Sequence, residues 1–279
     1  MELLSGKKIA EEIFTTLQKT ILQEQLAPKL AVVLVGDDPA SHLYVRLKKS
    51  AAEKIGMICE VTLFPRDVSQ TALEQYIQML NLDTSVHGIL IQFPLPVGFD
   101  EDILVQQIDS QKDADGFHQD TLAKFLAGDR GAEPVFPRAI ATLIQSCKTN
   151  LKEKRAVALV NSVLFGKIIE QTLKNLGAIP TIIQATKWEE DLDEVLGADV
   201  VVTACGQAKM ITRDHLSPHV IVIDGGITMV DGHAVGDVDR ESVEDIPGWL
   251  SPVPGGVGPV TVASLLARVV ESARRTTNQ

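Results

Sequence analysis

Ala156-Val157-Ala158-Leu159-Val160-Asn161-Ser162 is a short aliphatic run that breaks into a polar turn. A helical pattern over about 165–176 and a second short run, Thr181-Ile182-Ile183, come straight after it. Strand, helix and strand in that order make a βαβ unit, which needs a parallel sheet. The alternation continues on both sides. Strands are read at 200–203 and 220–224, with a helix at 190–196, and earlier at 30–35, 59–64 and 88–92, with helices at about 40–55 and 70–81. The polar break Gly128-Asp129-Arg130-Gly131-Ala132-Glu133-Pro134 precedes a helix read at 138–147 and places a domain transition just after itself. The fold class is α/β in two domains.

Composition narrows the function. The chain of 279 residues is 45% hydrophobic and 23% charged, the balance of a soluble globular protein. No apolar run approaches the roughly 20 residues of a membrane span, so no membrane partner is expected. The N-terminus sets Glu2, Lys7, Lys8, Glu11 and Glu12 around short apolar pairs; it reads as the start of an amphipathic helix and not as a signal peptide. A net charge of −11 with no basic cluster argues against nucleic acid. Cys59, Cys147 and Cys205 are odd in number, far apart and in apolar settings, which suits buried thiols in a reducing cytoplasm. His215 and His219 have helical spacing, but Pro218 lies between them and no carboxylate accompanies them, so no metal is expected.

Four places carry chemistry. Pro254-Gly255-Gly256-Val257-Gly258-Pro259-Val260-Thr261-Val262 is a constrained loop that opens onto a helical pattern through Leu265, Leu266, Val269 and Val270. Such a loop, ending in free helix N–H groups, suits a planar or anionic ligand. Tyr44 and Lys48 are four apart on a predicted helix and share a face. A ring can pack on a flat heterocycle while the amine beside it moves a proton; a solvated lysine near a half-buried tyrosine is the plainer alternative. Gln92 ends a strand just before Pro94 and Pro96, where α/β proteins face their ligands; an edge amide held by a loop reads the same. Asp115, in Asp113-Ala114-Asp115-Gly116-Phe117, is either a turn residue or a carboxylate free to grip an aminopyrimidine edge.

Together these stretches resemble the methylenetetrahydrofolate dehydrogenase/cyclohydrolase family, the FolD proteins. The last loop is similar to the family's C-terminal signature. The segment from Glu74-Gln75-Tyr76-Ile77 through Asn81-Leu82-Asp83 to Gly88-Ile89-Leu90-Ile91-Gln92-Phe93-Pro94-Leu95-Pro96 is similar to its other one, with Phe93 in place of a leucine. Gly36-Asp37-Asp38-Pro39-Ala40-Ser41 through Lys48 resembles its catalytic segment. The resemblance implies a folate-binding catalytic domain from 1–136 plus 255–279 and a Rossmann-type domain from 137–254, with the last helix returning to the first. It implies Lys48 as general acid/base, Tyr44 packing on the folate, Gln92 holding both, Asp115 as pterin anchor, and Ser41, Pro254, Gly255 and Gly256 near the substrate. It also implies a homodimer acting on tetrahydrofolate derivatives with NADP.

The dinucleotide half departs from the family pattern. Where the family has Gly-Arg-Ser-x-Ile-Val-Gly-x-Pro, this chain has Val160-Asn161-Ser162-Val163-Leu164-Phe165-Gly166-Lys167-Ile168. Ser162 and Gly166 match; the glycine and the arginine, a bidentate phosphate partner, do not. The second strand ends Ile183-Gln184-Ala185-Thr186, with neither the family's serine nor the acid that NAD enzymes use on the ribose. Asp224-Gly225-Gly226-Ile227 and Gly236-Asp237-Val238-Asp239 are kept, and Gly258 and Thr261 complete the expected cofactor wall. The alternatives are a cyclohydrolase whose dehydrogenase is lost or switched to NAD, and a non-catalytic folate-binding protein.

Overall fold

The computed structural model describes residues 1–277. In chain order the elements begin with β1 (Glu2–Leu3), α1 (Gly6–Gln23), β2 (Lys29–Val35), α2 (Pro39–Lys54), β3 (Ile58–Phe64), α3 (Gln70–Leu82), β4 (Gly88–Ile91), α4 (Glu101–Gln106) and α5 (Gln119–Leu126). There follow α6 (Val135–Ser146), β5 (Arg155–Val160), α7 (Val163–Asn175), β6 (Ile179–Gln184), α8 (Leu192–Leu196), β7 (Val200–Ala204), β8 (Val220–Asp224), β9 (Thr228–Val230), β10 (His233–Val235), β11 (Gly248–Ser251) and α9 (Val257–Thr277). The chain forms two compact units, one from Glu11–Ala123 with the chain from Val262, the other from Met1–Ala10 with Lys124–Thr261.

The first unit is built on a parallel sheet in the order β3-β2-β4. Apolar residues of β2 and β4 (Ala31, Val33, Val35, Ile89, Ile91) pack with Leu73 and Ile77 of α3 and Leu104 of α4. Helix boundaries follow from capping. Asp38 accepts the Ser41 N–H at 2.7 Å and Pro39 opens α2; Ser69 accepts the Ala72 N–H at 3.2 Å and opens α3. At the far end of α3, Lys112 Nζ donates to the carbonyls of Leu80, Asn81 and Asp83, satisfying orphan acceptors of the last turn. Asn81 of the second signature ties α3 to the next loop, donating to Gln107 O at 2.7 Å and accepting from Asp109 N at 2.9 Å.

In the second unit the described strands order as β1-β11-β8-β7-β5-β6, all parallel. Its core lies between the sheet (Val157, Leu159, Ile183, Val201, Val222, Leu250) and side chains such as Trp188, Val195, Ile211 and Val243. From β5 the chain first adds β6 on one side and then β7 on the other. That reversal creates a switch point at the carboxyl ends of β5 and β7, where open α/β sheets bind ligands. The first unit has the same reversal around β2, with β3 on one side and β4 on the other.

The strands and helices expected from sequence appear within a few residues of their expected ends, and short elements add to them. Residues 2–3, expected to begin a helix, instead form β1 on β11, with α1 starting at Gly6; residues 1–10, 124–136 and 255–261 group with the larger sheet. The helix expected at 138–147 starts at Val135, Pro137 being tolerated in a first turn where its N–H is not needed. The glycine-proline loop is also shorter than read, because α9 begins at Val257.

Gly166 shows how tightly α7 lies on the sheet. A Cβ there would stand 2.8 Å from Ile182 Cγ2 and 3.3 Å from Val160 Cγ2. Gly166→Ala is therefore expected to cost about 1–3 kcal/mol through overpacking, read as a lowered urea midpoint with an unchanged slope.

Candidate active site

Lys48 sits on α2, whose first turn is fixed by Asp38 and Pro39. Ser41, Tyr44 and Lys48 follow one another at helical spacing on one side of α2. Lys48 Nζ donates to Gln92 Oε1 at 2.8 Å. Gln92 is 8% exposed, at the carboxyl end of β4, and its own Nε2 donates to Phe93 O at 2.5 Å. Both the Phe93-Pro94 and Val253-Pro254 peptides are cis.

Asp115 reaches the same place by strand-like pairing. The segment before it runs parallel to β4, with Ile89 N donating to Lys112 O at 2.7 Å and Ala114 N to Ile89 O at 3.1 Å. Asp113 is the turn residue, accepting from Gly116 N at 2.9 Å and His118 N at 2.7 Å. Arg268 of α9 donates to Asp113 O at 2.9 Å and braces that turn. Asp115 is thus left for another task.

The electrostatics are those of a working pair. Burial lowers Lys48 below the usual lysine range, with the Asp115 charge opposing it. Burial pushes the Asp115 carboxyl up to about 6, against the pull of Lys48 and Arg268 and with Asp113 adding to the rise. Such a couple, with both members drawn toward neutrality, is the pattern by which a functional-site candidate is recognised. Tyr44 is 39% exposed beside it, so its ring has a free face. Ser41 is 3% exposed and its hydroxyl has no partner, an orphan of the kind a bound polar group satisfies.

The second unit carries the other candidates at the carboxyl edge of its sheet. Val160 is fully buried, so its side chain belongs to the core. Asn161 Nδ2 donates to Cys205 O across the switch point. Ser162 caps α7, accepting the Phe165 N–H at 3.3 Å. Val163 and Leu164 in the first turn of α7, and Ile227 after β8, are 65%, 52% and 48% exposed. Large apolar side chains left open beside a helix N-terminus fit the flat rings and phosphates of a dinucleotide.

In the last loop Gly255 has φ +109°, a conformation L side chains rarely adopt, and its carbonyl accepts the Lys7 N–H at 3.3 Å. A Cβ on Gly256 would lie 2.7 Å from Pro252 O, so this glycine serves close packing. Pro254 and Gly258 are exposed, and Thr261 donates to Val257 O at 3.0 Å.

Sequence reading missed what Asp224 and Asp237 do. Asp224 is 2% exposed and accepts from Gly226 N (3.1 Å), Asp237 N (3.0 Å), Val238 N (2.9 Å) and Thr203 Oγ1 (3.4 Å). Asp237 is fully buried and accepts from Cys205 N at 2.7 Å and Gln207 N at 2.8 Å. Burial holds the Asp224 carboxyl up at about 6, opposed by the N–H groups it accepts and reinforced by the Asp237 charge. The signal was the repeated Asp-Gly and Gly-Asp pairing after the strands.

The family profile for the tetrahydrofolate dehydrogenase/cyclohydrolase catalytic domain matches residues 4–115, and the profile for that family's NAD(P)-binding domain matches residues 134–277. The chain belongs to the tetrahydrofolate dehydrogenase/cyclohydrolase family. The bifunctional protein FolD of Methanospirillum hungatei is 39% identical over 273 residues, covering 98% of this chain and 97% of that protein. Among solved structures, the Campylobacter jejuni FolD methylenetetrahydrofolate dehydrogenase/cyclohydrolase is similar with a TM-score of 0.93, 35% identity and 99% of each chain covered. The Trypanosoma brucei FolD dehydrogenase-cyclohydrolase, solved with NADP and an inhibitor, has a TM-score of 0.93 at 29% identity, covering 99% of this chain and 98% of that one. Members of the family share the two-domain α/β architecture seen here.

Cys59, Cys147 and Cys205 are free, and burial raises each thiol, to about 11, 11 and 12. Among the described residues no cluster of three His, Cys, Asp or Glu side chains is placed to hold a metal. None of the described helices is long and apolar enough to cross a membrane.

Proposed function

We propose that the protein oxidises 5,10-methylenetetrahydrofolate with a nicotinamide dinucleotide and hydrolyses the 5,10-methenyl product to 10-formyltetrahydrofolate. The observation that carries this reading is the half-buried Lys48–Gln92 hydrogen bond of 2.8 Å beside the raised carboxyl of Asp115. Asp115 anchors the aminopyrimidine edge of the pterin, Tyr44 packs on its ring, and the Ser41 hydroxyl finds its partner in the bound substrate. Pro254, Gly255 and Gly256 belong to the substrate-side loop. In this arrangement residues 1–136 with 255–279 form the folate-binding catalytic part and 137–254 the dinucleotide-binding part.

In the hydrolytic half, a water adds to the methenyl carbon and its proton passes to neutral Lys48. The added hydroxyl then loses its proton to solvent as its oxygen becomes the formyl carbonyl, the carbon–N5 bond breaks, and N5 takes the proton from the Lys48 ammonium, leaving the formyl group on N10. Gln92 Oε1 holds one Nζ hydrogen and so aims the nitrogen lone pair. A lysine whose pKa is lowered by burial is suited to give and take within one turnover.

The bound dinucleotide supplies the hydride acceptor. The first turn of α7, capped by Ser162 and close-packed through Gly166 on Val160, receives the phosphates. Asn161, Ile227, Gly258 and Thr261 line the site around them. NADP is the proposed cofactor. The end of β6 continues into exposed Thr186 and Lys187, and Lys187 offers a cation to a 2′-phosphate against the repulsion of Glu189, Glu190 and Asp191, which follow closely. Titration of the protein with NADP and NAD is expected to give tighter saturable binding of NADP; binding of NAD alone overturns this choice, and binding of neither removes the dehydrogenase.

The setting proposed is the cytoplasm and the assembly a homodimer. Strand β3 supports the latter as a sheet edge with Ile58 and Leu63 about half exposed.

A further inference from the structure

A continuous hydrogen-bonded belt runs along the carboxyl edge of the six-stranded sheet. Asn161, after β5, holds the carbonyl of Cys205, after β7. The Cys205 N–H is held in turn by Asp237 Oδ2 at 2.7 Å, and the Gln207 N–H by Oδ1 at 2.8 Å. The Asp237 N–H donates at 3.0 Å to Asp224 Oδ1, which also takes the Gly226 N–H, while Asp224 Oδ2 takes Val238 N–H. Finally the Asp224 N–H donates to Ser251 Oγ at 2.8 Å, at the end of β11. Five segments from different strands are thereby tied by side chains at the one edge where the switch point lies.

The fit leaves little play. A Cβ on Gly226 would lie 2.0 Å from Asp237 Oδ1, and one on Gly236 2.0 Å from Asp224 Oδ2, so backbone is pressed directly onto each carboxylate. Asp224 accepts four hydrogen bonds, about the full capacity of a carboxylate. Charge-assisted bonds to buried N–H groups are the stiffest polar ties available to a loop.

We propose that Asp237 and Asp224 are positioning residues for hydride transfer, holding the Cys205–Gln207 and Gly225–Ile227 loops in a single geometry around the dinucleotide, with Asn161 joining the α7 turn to them. This rests on the dehydrogenase reading above. It also gives Asn161 a task of its own, as a strut between loops, where the family pattern has a phosphate-binding arginine.

The test uses Asp237→Asn, which keeps the shape but turns an amide N–H toward the N–H of Cys205 or Gln207. Dehydrogenase kcat is expected to fall about 10–100-fold, the cost of sub-ångström misplacement. NADP binding is expected to stay within about threefold, the cyclohydrolase rate within about twofold, and the deuterium isotope effect on the methylene hydrogen to rise as hydride transfer becomes limiting, because positioning acts on kcat alone. Unchanged kcat, or a parallel fall of both activities and of cofactor binding, overturns the proposal. If Asp237→Asn does not fold, Asn161→Ala at the belt's exposed end carries the test, with a kcat loss and raised isotope effect expected and an unchanged kcat overturning it. If the unsubstituted protein turns over with neither cofactor, the dehydrogenase reading itself fails and takes the proposal with it.

Discussion

Replacing Lys48 with alanine lowers the cyclohydrolase rate by about 10²–10⁴, the usual worth of a positioned acid/base, and lowers the dehydrogenase rate far less. The two outcomes part because hydride transfer needs the folate held in place, whereas hydrolysis needs a proton taken from water and returned to N5. Lys48 Nζ is held in place by its hydrogen bond to Gln92 Oε1 at 2.8 Å. Lys48→Arg is the sharper variant. A guanidinium keeps its charge at every accessible pH and cannot accept the proton, so the cyclohydrolase stays lost although a cation and hydrogen-bond donor remain. Measuring methenyltetrahydrofolate hydrolysis and reduced-dinucleotide formation on the same preparations separates the cases. A Lys48→Ala protein that hydrolyses at the original rate removes Lys48 from the chemistry.

The readable parts of the chain were those with a long period or a capped start. Residues 200–202 and 220–223 are unbroken aliphatic runs, and β7 and β8 begin on them. Tyr44 and Lys48 were legible as one helical face because helical spacing is a local property. The short strands were not: Glu2–Leu3 and Gly248–Ser251 have no period to show, and exist because each finds a neighbour far away in sequence. For the same reason Gln92 was visible only as an amide at a strand end, while its bond to Lys48 spans 44 residues. The polar belt was the least legible. Asp224 and Asp237 lie in turns whose partners, Cys205, Gln207 and Ser251, come from other loops, and no local rule separates such a carboxylate from a ligand-facing one. Val160 illustrates the converse. As a lost glycine it looked like damage to the phosphate loop, yet its side chain is buried against the space Gly166 leaves open.

Asp115→Asn is expected to weaken folate binding and strengthen the fold at once. Binding weakens because the amide offers a single acceptor oxygen and turns an N–H toward the donors of the pterin edge. Loss of a charge-assisted hydrogen bond, worth about 1.5–3 kcal/mol, raises KM for both folate substrates by about 10–100-fold. The pH profile supplies the second signature. The Asp115 carboxyl titrates near 6, so in the unsubstituted protein kcat/KM falls as pH drops through that value, and in the variant this acid limb is missing. The stability effect has the opposite sign. Burial raises the folded-state pKa to about 6, above the unfolded value of about 3.9, so the ionised carboxylate works against folding wherever pH exceeds 6. That cost shrinks between pH 6 and about 4 and is absent below, where both states carry the proton. The variant should therefore unfold a few degrees higher than the parent at pH 7.5, with the gap closing as pH falls toward about 4. In the variant the missing Asp115 charge no longer opposes the lowering of the Lys48 pKa by burial, so Lys48 is shifted further toward neutrality. Thermal unfolding at pH 7.5, 6 and 4.5, set beside KM at the same values, decides the matter. An unchanged KM removes Asp115 as the pterin anchor, and a variant less stable than the parent at pH 7.5 makes the carboxylate a structural group instead.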